Sequence, residues 1–135
     1  MLPDFKALIE RIGVNEGFRS KPYQCSEDVW TIGHGLTWIT EEESLHILSG
    51  RVSQLYLKLL DDLDWYGDMP PEVKGVIIEM VFQIGFTGFT KFKRAIAHMK
   101  NREWRLASDE MLDSLWAKQT PNRARRLADI VQEHG

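Results

Sequence analysis

The sequence predicts a mainly α fold (α+β), with one small β element after the first helix. Three observations carry that expectation. Apolar residues recur at helical spacing along most of the chain, as at Phe5, Leu8, Ile9 and Ile12. Strand formers gather in one short segment, Val29-Trp30-Thr31-Ile32, with Gly33 and Gly35 close behind. Prolines and glycines stand between the periodic stretches, as the breaks between helices require.

Taken in order, the first stripe marks an amphipathic helix, with Pro3 suited to its first turn, where a missing N–H costs nothing. Gly13 and Gly17 weaken that helix near its end, which places Glu16 at or just past the last turn. The segment Tyr23 to Thr37 reads as a hairpin or small sheet, the only β structure expected. Thr40-Glu41-Glu42-Glu43 is a capping box, and Leu48, Val52, Leu55, Tyr56 and Leu59 continue the helix it opens despite Gly50. Two consecutive prolines, Pro70 and Pro71, cannot lie in a helix interior, so the run before them is a break. The stretch Glu72 to Gly85 is apolar nearly all round, which predicts a helix buried in the middle of the domain and ended by Gly85. Helical segments follow near Lys91–Lys100 and Glu103–Trp116. Thr120 and Pro121 then open a last helix as N-cap and N1.

A chain of 135 residues suits one domain and can bury roughly two-thirds of its unfolded surface without disulfides or metal. The single cysteine, Cys25, cannot form an intramolecular disulfide, which fits a reducing compartment during folding. The N-terminus lacks the basic start and apolar run of a signal peptide, and no stretch approaches the ~18 apolar residues of a membrane span. A net charge of −3 argues against a general nucleic-acid binder. The charge is uneven, however. Residues 41–79 hold nine acidic and three basic side chains, whereas residues 91–126 hold ten basic and four acidic ones. The basic half would favour a negatively charged polymer through its long-range field; two ordinary solvated helical faces would give the same count. The four histidines, at 34, 46, 98 and 134, share no metal-ligand spacing with Cys25, so neither metal nor cofactor is expected.

The chemistry is concentrated between Asn15 and Thr37. A glutamate where a helix gives way to a hairpin is well placed to face a cleft, and desolvation there would let Glu16 keep a proton and act as a general acid. Glycoside hydrolysis commonly needs a second group, one that activates water or attacks the sugar. The nearby candidates are Cys25, Glu27, Asp28 and the Thr31 hydroxyl.

The segment EGFRSKPYQCSEDVWTIGHGLT resembles the catalytic segment of the T-even phage lysozymes, glycoside hydrolase family 24. That family carries Glu, eight residues, Asp or sometimes Cys, five residues, Thr; here those positions are Glu16, Cys25 and Thr31. MVFQIGFTGFTKF, residues 80–92, and WAKQTPNRARR, residues 116–126, resemble two signatures of the family's C-terminal lobe. The resemblance implies a two-lobed, lysozyme-like domain over residues 1–135. A smaller lobe would span about 14–66, with the β element and a linking helix. A helical lobe would comprise about 70–135 plus the N-terminal helix.

It also implies a monomeric endo-acting muramidase that cuts the β-1,4 bond between N-acetylmuramic acid and N-acetylglucosamine in peptidoglycan. Glu16 would protonate the leaving oxygen, Cys25 would take the second catalytic position, and Thr31 would help hold a water. Phe82 and Gln83 would contact the glycan, with plain core as the alternative for Phe82. Trp116 and Arg123 are expected to be structural, a core aromatic and a helix-surface cation. A phage endolysin of this kind would accumulate in the host cytoplasm, insert in no membrane, and reach the wall through a holin-type pore. The expected departures are a shortened first lobe, His34 between the glycines as a hydrogen-bonded structural residue, and the thiol itself.

An ordinary thiol has a pKa near ~8.5, so as a base at neutral pH it is over tenfold scarcer than a carboxylate, a cost of roughly 1.4 kcal/mol. Its thiolate is the better nucleophile, and direct attack on the sugar would retain anomeric configuration where a water-activating base inverts it. Two other readings remain open in the sequence: a lytic transglycosylase leaving anhydro ends, and a non-catalytic peptidoglycan-binding module.

Overall fold

The computed structural model describes residues 1–25 and 27–134. The chain divides into two compact units, residues 1–47 and 48–135.

The first unit begins with α1 (Phe5–Glu16). Its N-cap is Asp4, whose carboxylate accepts from the Ala7 N–H at 3.2 Å, so Pro3 precedes the helix rather than opening it. Gly17, at φ 70°, ends α1 by returning its N–H to the Gly13 carbonyl at 2.9 Å. Strands β1 (Arg19–Gln24) and β2 (Trp30–Gly33) form an antiparallel pair, with Tyr23 opposite Thr31 and Gln24 opposite Trp30. The hairpin therefore starts earlier than its apolar residues suggest. Arg-Ser-Lys-Pro lacks strand periodicity, but in a two-stranded sheet both strands are edges, and Pro22 needs no ladder N–H there. A register irregularity between Arg19 and Tyr23 accompanies it. Beyond β2 the backbone turns through Gly35, and Ile32 and Leu36 exchange both backbone hydrogen bonds.

Helix α2 (Glu41–Asp62) runs from the first unit into the second. The capping box forms as expected: the Glu43 N–H donates to Thr40 Oγ1 at 3.1 Å and the Thr40 N–H to Glu43 Oε1 at 2.9 Å. A short 3₁₀ turn, Tyr66–Asp68, leads to α3 (Pro71–Thr90), with Pro70 as N-cap and Pro71 at N1. Gly85, at φ 82°, breaks α3 internally, where the sequence places its end. By length and composition α3 would pass as a membrane span, contrary to the expectation from sequence. Its unbroken part, residues 71–84, reaches only about 21 Å at helical rise, short of a ~30 Å hydrocarbon core. Its buried residues, Val73, Val76, Ile77, Met80 and Val81, form the centre of the unit's core. The burial is one-sided, so α3 is apolar beyond what its packing demands; Phe82 is exposed.

Around it lie α4 (Lys93–Lys100), α5 (Trp104–Leu112), α6 (Leu115–Gln119) and α7 (Pro121–Gln132), with α7 packed on α3, α5 and α6. The stretch expected as one helix over 103–116 is two. Ser114 interrupts it by accepting from the Ala117 N–H at 3.2 Å as the N-cap of α6. Thr120 does precede Pro121 at the start of α7, but its hydroxyl donates back to the Trp116 carbonyl at 3.1 Å instead of capping forward. Met99, Met111, Leu127 and Val131 complete the buried cluster.

Candidate active site

Glu16 is the last residue of α1, and its side chain lies across the backbone of Gly35. A Cβ on Gly35 would fall 2.5 Å from Glu16 Oε2, 2.8 Å from Cδ and 3.0 Å from Cγ. Gly35 also sits at φ 76°, in the left-handed region that a side chain disfavours. The backbone thus favours glycine there, and the missing side chain leaves room for the carboxylate. Glu16 is exposed, so its own unit does not supply the desolvation anticipated for it.

The hairpin sets the other two candidates by register. Cross-strand partners share a face and alternate residues return to it. Tyr23 and Thr31 are partners, and the Cys25 N–H continues the ladder to the Val29 carbonyl at 2.9 Å, so Tyr23, Cys25, Val29 and Thr31 occupy one face. Gln24, Trp30 and Ile32 occupy the other, which is exposed. Thr31 is 6% exposed and Cys25 is a half-buried free thiol.

The Thr31 hydroxyl donates to the Val29 carbonyl at 3.0 Å. One carbonyl therefore holds both the Cys25 backbone and the Thr31 side chain. With its proton committed, Thr31 Oγ1 has only lone pairs to offer, so a water bound there would donate to it. Asp28, at φ 62°, returns its N–H to the Cys25 carbonyl at 2.9 Å; Asp28 and Glu27 are both exposed at the hairpin tip.

His34 differs from the expectation of a hydrogen-bonded structural histidine. Its ring is exposed and held by apolar contact: Phe18 at a centroid distance of 5.3 Å, and the Gly13 position, where a Cβ would meet Cδ2 at 3.6 Å.

Phe82 and Gln83 belong to the second unit. Phe82 is 51% exposed and, with Leu48, Val52, Ile78, Glu79 and Arg123, lines a cavity of about 460 Å³, so plain core does not describe it. Gln83 Oε1 accepts from the indole N–H of Trp116 at 2.9 Å. An indole can only donate, so this bond orients the amide and leaves the Gln83 NH₂ without a hydrogen-bond partner among the described residues. Trp116 is buried, as expected of a core aromatic, and meets Phe92 edge-on at 5.9 Å. Arg123 is more than a surface cation: its Nε lies 2.8 Å from Glu79 Oε2 at the cavity's edge, side chain 34% exposed. The sequence carries no local signal for that pair, which joins residues 44 positions apart.

A model of the phage lysozyme family matches residues 14–131. The chain belongs to that family. The match covers the end of α1, the hairpin and the helices after it as far as residue 131. It is 37% identical over 59 residues to a probable T4-type lysozyme 1 of Dictyostelium discoideum, and 30% identical over 67 residues to a probable T4-type lysozyme 2 of the same organism. These stretches cover 44% and 50% of this chain but only 35% and 39% of the relatives' own lengths.

Proposed function

We propose that this chain is a peptidoglycan hydrolase, an endo-acting muramidase that cuts the β-1,4 bond between N-acetylmuramic acid and N-acetylglucosamine. Membership of the phage lysozyme family supports the reaction class. The observation that supports the residue assignment is that one unit carries both a glutamate laid over Gly35 at the end of α1 and a hairpin face that holds Cys25 and Thr31.

In this reading Glu16 donates its proton to the glycosidic oxygen as the C1–O bond breaks, and positive charge develops on the muramic acid ring. Cys25 and Thr31 serve the opposite face of the sugar. A water donating to Thr31 Oγ1 gives up its other proton to the Cys25 thiolate as it attacks C1, which inverts the anomeric centre. Direct thiolate attack would instead form a glycosyl thioether, later released by water, and would retain it. Phe82 offers an exposed ring for the apolar face of a sugar, and the Gln83 NH₂ a donor fixed by Trp116. A monomer that lyses a host wall as an endolysin, passing a holin-type pore from the host cytoplasm, is the setting we propose for it; the phage name of the family supports that setting, whereas the relatives named above come from Dictyostelium discoideum.

Weighing the fragments released from purified peptidoglycan tests the reaction. Hydrated reducing ends are expected. Anhydro ends would replace the hydrolase with a lytic transglycosylase, and binding to walls without sugar release would replace it with a binding module.

A further inference from the structure

Among the described residues, two non-glycine residues hold a left-handed backbone, Arg102 at φ 58° and Asp28 at φ 62°. Arg102 follows the C-cap of α4 and donates its N–H to the Met99 carbonyl at 3.0 Å, a common way for a helix to end. Asp28 ends no helix. It stands in the hairpin tip, midway in sequence between Cys25 and Thr31. The left-handed region is costly for most residues, though Asp and Asn tolerate it, so its use between two candidate catalytic groups calls for a reason. At Asp28 the chain reverses, its N–H donating to the Cys25 carbonyl at 2.9 Å, and Val29 returns to a place opposite Cys25. The Val29 carbonyl then accepts from the Cys25 N–H at 2.9 Å and from the Thr31 hydroxyl at 3.0 Å. A carbonyl oxygen has two lone pairs, and both are occupied here. In a hairpin the turn sets the register, and a slip of one residue carries side chains to the opposite face. A residue at 28 that rejects the left-handed region would thus release the Cys25 backbone and the Thr31 hydroxyl together, and take the thiol off the face it shares with Thr31.

We infer that Asp28 is a positioning residue: its backbone conformation, and not its carboxylate, holds Cys25 and Thr31 on one face for their work on the glycan. The carboxylate is exposed at the tip and takes no part in the chemistry. The catalytic consequence rests on the muramidase reading above, whereas the positioning of the thiol rests on the hairpin alone.

Substitutions at position 28 of the full chain test it. Asp28→Asn and Asp28→Gly remove the carboxylate but keep access to the left-handed region, whereas the β-branched Asp28→Val keeps neither. Each variant is read twice: by kcat and KM on purified peptidoglycan, and by the rate at which iodoacetamide alkylates Cys25 at fixed pH with no glycan present. Asp28→Asn and Asp28→Gly should match the wild type in both to within about threefold. Asp28→Val should lose about tenfold or more in kcat, because the thiol and hydroxyl are misplaced. Its KM should hold, since the glycan contacts proposed at Phe82 and Gln83 lie in the other unit. Its half-buried thiol, freed from the turn, should alkylate about threefold faster or more. Asp28→Ala, less strained, takes its place if Asp28→Val does not fold, with the same direction expected in both quantities. Loss of turnover in Asp28→Asn and Asp28→Gly with Cys25 reactivity unchanged would assign the carboxylate to the chemistry and overturn the inference. Wild-type turnover and alkylation in Asp28→Val would overturn it too. A wild type that cleaves no glycan sinks the muramidase reading instead, and the alkylation rates alone then decide whether Asp28 sets the thiol.

Discussion

Gly35→Ala is the substitution that probes the candidate site most selectively. The added methyl would lie 2.5 Å from Glu16 Oε2, whereas ordinary contact begins near 3.4 Å, so the carboxylate must retreat by about 1 Å. The clash itself is cheap, because the obstructing atoms are the far end of a flexible side chain. The stability loss comes from the backbone: a non-glycine residue at φ 76° costs about 1–2 kcal/mol. A general acid displaced by about 1 Å loses about 10²-fold in rate. The expected signature is thus a modest fall in Tm with a kcat/KM on peptidoglycan about a hundredfold lower. Gly33→Ala is the control. It sits at φ 67°, and its nearest new contact is Leu36 Cδ1 at an ordinary 3.7 Å, so it should lose similar stability but far less activity. Gly35→Ala with activity within threefold of wild type would refute the reasoning, as would equal losses in the two variants.

Other outcomes follow from the second unit. Burial, and then the neighbouring Tyr56, push the Tyr66 phenol well above the ordinary tyrosine range, so the unfolded chain releases this proton at a lower pH than the folded one. Stability should therefore fall as pH rises above about 10, by at most about 1.4 kcal/mol per unit, and Tyr66→Phe should flatten that limb in denaturant melts. Gln83→Leu leaves the buried Trp116 indole N–H without its acceptor, which should cost about 1–3 kcal/mol in chemical denaturation, more than an exposed glycan contact alone would. Ser108 is fully buried with no partner for its hydroxyl among the described residues, so Ser108→Ala should be neutral or stabilising by about 1 kcal/mol.

What the sequence disclosed was local. The capping box at Thr40, the double-proline start of α3 and the break at Gly85 each depend on a few adjacent residues, and each is read correctly from them. The β1 boundary is not, because Arg19 to Pro22 are held by pairing to β2 rather than by their own propensity. The split between α5 and α6 turns on whether Ser114 caps forward or lies inside a helix, a choice its neighbours leave open. At the site, the spacing of Glu16, Cys25 and Thr31 is legible, and strand alternation then puts the last two on one face. The dependence of Glu16 on Gly35, the Glu79–Arg123 pair and the Gln83–Trp116 bond join residues 19 to 44 positions apart, and no periodicity reports such distances.

The central claim is that Glu16 and the thiol at Cys25 act together on a glycosidic bond. The most direct test is side-by-side digestion of purified peptidoglycan by the wild type, Glu16→Gln and Cys25→Ser, each shown to be folded. The account predicts release of hydrated fragments by the wild type and its loss in both variants. Full activity in Cys25→Ser would contradict it and leave Glu16 to work without the thiol.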